Sequence, residues 1–190
     1  MAHILVVFGT TDGQTARIAR HVVGVLRAQR HRVTLVDARE LGGQVSFGGI
    51  DGAIVAASVR MGKFQRKVVE FARAHRARLN MLPNAFLAVS LSASHDTASA
   101  RREVAKTLAR FVAESGWSPA LAVPVAGALQ YSKYPFFTKL VIRLISKMAG
   151  GDTDPSRDYE YTDWNALEEF ARRFGALWHR ASVAGAALLA

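Results

Sequence analysis

Apolar residues are distributed along the chain in two patterns. Short, nearly unbroken apolar runs occupy residues 4–8, 33–36, 53–57, 85–91 and 121–125. Such runs fit strands covered on both faces, which have no solvent side to alternate with. Between them, apolar residues recur at three- and four-residue intervals. Ile18, Val22, Val25 and Leu26 form one such stripe. Val68, Phe71, Ala72 and His75 form another, within a basic helix expected over 63–79. Val104, Leu108, Phe111 and Val112 mark a third over 99–115, where Gly116 suits the stop. Trp164, Leu167, Phe170, Phe174, Leu177 and Trp178 make a closing helix, with Thr162 or Asp163 as its N-cap. Five strands alternating with helices predict an α/β domain with a parallel sheet between helical layers. Pro124 places the fifth strand at an edge or ends it.

About 35 residues, 126–161, separate that strand from the closing helix, a length that is normally functional when ordered. They open with Tyr131, Lys133, Tyr134, Phe136 and Phe137. Within them, Leu140, Val141, Leu144, Ile145 and Met148 line one side of a helix predicted over 138–149. Lys139, Arg143 and Lys147 line another side. That pattern suits an anionic bilayer interface, or equally a helix packed on the domain. A single predicted domain spans 1–180 and includes this insertion, and residues 181–190 read as a frayed tail.

Charge narrows the choice of partners. Twenty-five basic against fifteen acidic residues give +10, and 19 of the 25 are arginine. Such a chain is drawn to polyanions: nucleic acid, an anionic membrane or an acidic small molecule. The basic residues are dispersed and match no nucleic-acid-binding motif, so no nucleic acid is expected. The absence of cysteine excludes disulfides, thiolate-held metals and cysteine nucleophiles, and no metal site is expected. There is no run of about 18 uncharged apolar residues and no leader-like N-terminus, so the sequence predicts a cytoplasmic protein.

The chemistry-bearing segment is Gly9-Thr10-Thr11-Asp12-Gly13-Gln14-Thr15, between the first strand and first helix. Hydroxyls and helix N-terminal N–H groups converge there as an anion requires. Neither G-x-x-x-x-G-K-[ST] nor G-x-G-x-x-G is present, which leaves a monophosphate. The same residues also suit a plain helix cap.

With further segments the pattern becomes specific. Thr10–Thr15 resembles the flavodoxin phosphate loop, Ser/Thr-x-Thr-Gly-x-Thr, with Asp12 where threonine is usual. Ala57-Ser58-Val59-Arg60-Met61-Gly62 and Ser90-Leu91-Ser92-Ala93 follow the third and fourth strands, where a doubly wound sheet binds its ligand. Val125-Ala126-Gly127-Ala128-Leu129, Gly150-Gly151-Asp152-Thr153-Asp154 and Tyr161-Thr162-Asp163-Trp164 resemble more narrowly the flavodoxin-like protoporphyrinogen oxidase family. Residues 130–137 and 92–96 are less basic than that family's pattern.

The resemblance implies a flavodoxin-like three-layer sandwich, sheet order 2-1-3-4-5, with a long insertion after strand five. It implies FMN held by Thr10, Thr11, Asp12, Gly13, Gln14, Thr15, Ser58, Val59, Arg60, Met61, Gly62, Ser90, Leu91, Ser92 and Gly127. It further implies protoporphyrinogen IX as substrate, with Arg60, Tyr131, Lys133 and Lys139 as candidate contacts. Electrons would pass to a quinone, menaquinone or ubiquinone, at the inner face of the cell membrane. His95 and Tyr131 are the candidate bases, and neither is compelling. A homo-oligomer stays open. So do two rival readings, a flavodoxin-type electron carrier and another FMN-dependent quinone reductase; the basic charge speaks against the carrier.

Overall fold

The computed structural model describes residues 1–41, 45–129 and 157–187, with side chains as far as residue 178. A parallel sheet is built from β1 (His3–Gly9), β2 (Arg32–Asp37), β3 (Gly52–Arg60), β5 (Asn84–Ser90) and β6 (Leu121–Ala126), in the order β2-β1-β3-β5-β6. Counting these principal strands alone, this is the expected order 2-1-3-4-5. The helices are α1 (Gln14–Ala28), α2 (Arg66–Asn80), α3 (Ala98–Ser115) and α4 (Trp164–Ala187). The backbone of α4 is helical into the stretch where the sequence predicts fraying.

Side chains of β1 alternate between two cores, as the strand period of two requires. Ile4, Val6 and Phe8 join Ile18, Val22 and Leu26 of α1 with Leu167, Phe170 and Phe174 of α4. Leu5 and Val7 join Val68, Phe71 and Leu79 of α2 with Phe111 of α3 and Trp117. Thus α1 and α4 cover one face, and α2 and α3 the other. His75 is half-buried between Phe47 and Phe71, and burial pushes its pKa down. β6 forms the sheet edge, where Pro124 gives up no interior ladder bond.

Two short elements depart from the sequence reading. Lys63–Phe64 is not helical but forms β4, antiparallel to the end of β3, and α2 begins only at Arg66. Phe64 accounts for the difference. Its ring packs edge-on against Phe86 and Phe111, centroids 5.2 and 5.3 Å away, and those two rings stack at 4.1 Å. The second departure is a two-stranded sheet of β7 (Ala128–Leu129) and β8 (Tyr159–Glu160), which brings the chain back beside the end of β6. Among the described residues no helix is long and apolar enough to cross a membrane.

Candidate functional site

The chain runs outward from β1 to β2, then crosses back to β3 on the other side of β1. The crevice left at this reversal, at the C-terminal ends of the strands, is the ligand position of open α/β sheets. An open cleft lies there, lined mainly by polar loop residues and strand ends. Its walls come from the loop before α1, the end of β3, and the ends of β5 and β6.

The loop before α1 has an unusual polar arrangement. Gly13 has φ 99°, a left-handed conformation that glycine adopts without steric penalty. Thr10 Oγ1 accepts from the Gly13 N–H at 2.9 Å, so it closes the loop and does not cap the helix. No side chain caps α1, and its first turn holds no acidic residue. Thr15 is wholly buried, and its Oγ1 has no hydrogen-bond partner among the described residues. A buried hydroxyl left unpaired costs roughly 1–3 kcal/mol. An uncapped N-terminus beside such a hydroxyl offers an anion several donors at once.

The end of β3 turns tightly into β4. Val59 pairs with Phe64 and Arg60 with Lys63, leaving Met61-Gly62 as a two-residue turn. Their φ angles of 49° and 71° give the mirror-image turn that matches strand twist. Arg110 Nη1 donates to the Gly62 carbonyl at 2.9 Å and holds the turn from α3. Gln65, which precedes α2, ties this hairpin to the first loop. Its Oε1 accepts from the Ser58 N–H at 3.0 Å; its Nε2 donates to Ser58 Oγ at 2.5 Å and Thr11 Oγ1 at 3.2 Å. Gly9 permits this approach, since a Cβ there would run into Val68. Arg60 Nη1 stands 3.8 Å from Asp12 Oδ1, offsetting a carboxylate at the cleft wall.

The third wall is tied to the returning chain. The Gly127 N–H donates to the Ser90 carbonyl at 3.1 Å, and the Tyr161 N–H donates to the Gly127 carbonyl at 3.0 Å. Thr162 Oγ1 donates to the Ala126 carbonyl and accepts from Gln14 Nε2, both at 2.8 Å. Gln14 Nε2 also donates to Glu160 Oε1 at 2.9 Å, and Arg17 pairs with Glu160 Oε2 at 2.8 Å. Asp163 caps α4, its Oδ1 accepting from the Ala166 N–H at 2.9 Å. Burial pulls the Glu160 pKa up, but hydrogen bonds from Gln14, Arg17 and Trp164 outweigh it and hold the carboxyl below its usual range. A carboxyl made more acidic by folding stabilises above its unfolded pKa and loses that contribution as pH falls through its folded value. Glu160→Gln is therefore expected to melt below the parent at pH about 7, with the gap closing below the ordinary pKa of 4.5. Thermal melts at neutral and acid pH check this.

Comparison with known proteins bears on the same region. A flavodoxin domain model matches residues 5–156. The protoporphyrinogen IX dehydrogenase [quinone] of Escherichia coli K12 is 33% identical over 174 residues, covering 91% of this chain and 94% of that protein. The chain belongs to the flavodoxin-like protoporphyrinogen IX dehydrogenase family. The protein of that name from Leishmania major is 34% identical over 175 residues, covering 91% of this chain and 74% of its own. The fold is also that of solved flavodoxins. The Streptococcus pneumoniae TIGR4 flavodoxin has TM-score 0.54 at 19% identity, covering 92% of this chain and 99% of its own. Flavodoxin 1 of Bacillus cereus has TM-score 0.51 at 15% identity, covering 91% and 97%.

A flavodoxin domain is a flavin-binding domain, and the cleft has the donors such a ligand needs. Of the residues the sequence singles out, Thr10, Thr11, Asp12, Gln14, Thr15, Ser58, Val59, Arg60, Ser90, Leu91 and Gly127 line it. Gly13 shapes the loop from behind. Met61 and Gly62 form the hairpin tip outside the lining. Ser92 stands in a 3-10 turn (Ser92–Ser94) on a neighbouring groove with His95 and Arg101. The Gln14 side chain is engaged with Glu160 and Thr162, which leaves its backbone N–H as the group at the helix end. The residues expected to meet substrate or membrane from the insertion, Tyr131, Lys133, Lys139, Arg143 and Lys147, lie outside the described residues, as do Gly150–Asp154. Val89 and Ala128 complete the lining, and sequence reasoning passed over both. It also passed over Gln65, which the sequence reading placed inside the helix expected over 63–79.

Proposed function

We propose that the protein is an FMN-dependent oxidoreductase that dehydrogenates protoporphyrinogen IX to protoporphyrin IX and passes the electrons to a quinone. The observation that carries this reading is the uncapped α1 N-terminus beside the orphaned Thr15 hydroxyl, in a chain that matches its named relatives over nearly their whole length. Thr10, Thr11 and Thr15, with the N–H groups of Gln14 and its neighbours, would hold the phosphate. Ser58–Arg60 and Ser90–Leu91 would flank the ring. Bound there, FMN supplies two-electron acceptance and release, and loss of six electrons from the substrate requires three such rounds.

The side chains then have distinct tasks. Arg60, beside the cleft, presents a cation to a substrate propionate, and Lys133, Lys139 and Tyr131 are its proposed companions. Gln65 and Arg110 hold the β3 hairpin in one place, so the ring is met by fixed dipoles and not by mobile loop groups. No side chain lining the cleft is a compelling base, since Asp12 is paired with Arg60 and His95 lies on the adjoining groove. The acceptor is a membrane quinone, menaquinone or ubiquinone, met by a protein resting peripherally on the inner face of the cell membrane.

The deciding experiment is anaerobic reaction of the FMN-loaded protein with protoporphyrinogen IX and a soluble quinone, followed by porphyrin fluorescence. Porphyrin should form faster than the spontaneous rate, only with both protein and quinone. No enzyme-dependent porphyrin from a protein that retains FMN would overturn the substrate and favour the electron-carrier reading.

A further inference from the structure

We infer that two copies of this chain associate about a two-fold axis at the groove between α4 and the edge strand β6, with α4 antiparallel to the partner's α4. The inference does not depend on the flavin or on the reaction, since it is argued from apolar exposure and charge pattern alone.

The first observation is the groove itself. Leu121 and Val123 of β6 form one side, and Ala166, Phe170, Phe174 and Leu177 of α4 form the other. Phe170 and Phe174 are buried and make its floor, while Leu121 and Leu177 are 47% and 48% exposed at its rim. Only one other leucine among the described residues is exposed to that degree, so two of three meet here. Single exposed leucines are ordinary, but a shared apolar groove marks an interaction surface. Pro124 offers the free edge of β6 no N–H. A partner's strand therefore cannot continue the sheet past it, and the groove side chains carry the contact.

The second observation is that the outer ridge of α4 is its own complement. Ala166, Phe170, Arg173, Phe174 and Leu177 recur every three or four residues and form one ridge. The midpoint from Ala166 to Leu177 falls between residues 171 and 172. Glu169 and Arg173 straddle almost the same point, with side chains 55% and 79% exposed, and pair with each other at 2.5 Å. Such an exposed pair is worth little by itself and exchanges partners at low cost. A half-turn about that point lays Glu169 opposite the partner's Arg173. It also lays Ala166 opposite the partner's Leu177, a small residue against a large one. This self-complementarity is what an isologous two-fold contact requires, and an unrelated partner imposes no such symmetry. Bulk charge does not drive the contact, because each copy carries +10 and repels the other. The groove itself holds one Glu and one Arg, and is neutral where the copies meet.

The test uses the full-length, flavin-loaded protein in sedimentation equilibrium without lipid or detergent. A mass close to twice the chain's 20.6 kDa is expected at about 100 μM, with a dissociation constant of about 10 μM. Salt should tighten the dimer by screening the repulsion between copies. Leu177→Glu, at a half-exposed position, should leave the melting temperature of the dilute protein unchanged. It should raise the dissociation constant about a hundredfold or more, because the two-fold counts it twice. Met81→Glu makes the same change at an exposed residue following α2 and should have no effect. Glu169→Arg and Arg173→Glu should each give a monomer, since like charges then face across the axis. Mixing the two variants should restore a dimer containing one of each, because both cross-axis pairs are then opposite in sign. A monomer for the parent at that concentration would overturn the inference. So would a dimer indifferent to Leu177→Glu, which would mean that copies meet elsewhere or that residues 130–156 cover the groove. Failure of the two charge variants to combine would overturn the antiparallel two-fold.

Discussion

Thr15→Val is expected to leave the ligand-free protein at least as stable as the parent while weakening FMN binding about ten- to a hundredfold. The two effects have opposite signs because one atom causes both. Thr15 is fully buried at the start of α1, and its Oγ1 has no partner. Valine keeps the shape and removes the unpaired hydroxyl, so the free protein loses a desolvation penalty and no hydrogen bond. A phosphate at the helix end would receive that hydroxyl's proton in a charge-assisted bond, worth more than a neutral one. Riboflavin lacks the phosphate and supplies the control: its weaker binding should be the same in parent and variant. Thermal melts without ligand and flavin fluorescence titrations measure both quantities. Equal losses for FMN and riboflavin, or a lower ligand-free melting temperature, would remove Thr15 from the phosphate site.

Much of the fold is legible because it depends on local pattern. The unbroken runs predict strands buried on both faces, and β1 alternates between two cores as they require. Pro124 marks an edge because a proline can give no ladder bond there. What the sequence hides depends on distant partners. Phe64 reads as the start of a basic helix because Lys63, Arg66 and Lys67 share its spacing, yet its ring belongs to the Phe86–Phe111 stack. Gln14 looks like part of the phosphate loop, but its side chain bonds Glu160 and Thr162, about 150 residues away. The Thr162-or-Asp163 choice divides in the same way: Asp163 caps the helix, and Thr162 joins that long-range cluster. Ser92 resembles Ser90 in sequence, yet Ser90 Oγ accepts from Ala93 N–H to start a 3-10 turn that carries Ser92 to another groove. The hairpin tip is invisible because Met61-Gly62 lacks the Asn-Gly or Asp-Gly pair that announces such turns.

Gln65→Leu is expected to weaken FMN and riboflavin alike, by about tenfold or more, and so to separate ring placement from phosphate binding. Gln65 makes three hydrogen bonds: from the Ser58 N–H, and to Ser58 Oγ and Thr11 Oγ1. Leucine fills similar space and makes none. The Ser58 N–H then loses its acceptor at the cleft wall, and the β3 end is no longer fastened to the first loop. Because the hairpin is the proposed flank of the ring, the loss is expected to fall on any flavin with or without phosphate. Gln65→Glu tests the role further, since its carboxylate still accepts from the Ser58 N–H and should recover part of the affinity. A residue that only packed the start of α2 would behave otherwise: leucine would lower the melting temperature and leave both affinities and the Glu rescue flat. Measured beside Thr15→Val, the pair assigns the two ends of the cleft independently. Thr15 would discriminate between the two flavins, and Gln65 would not.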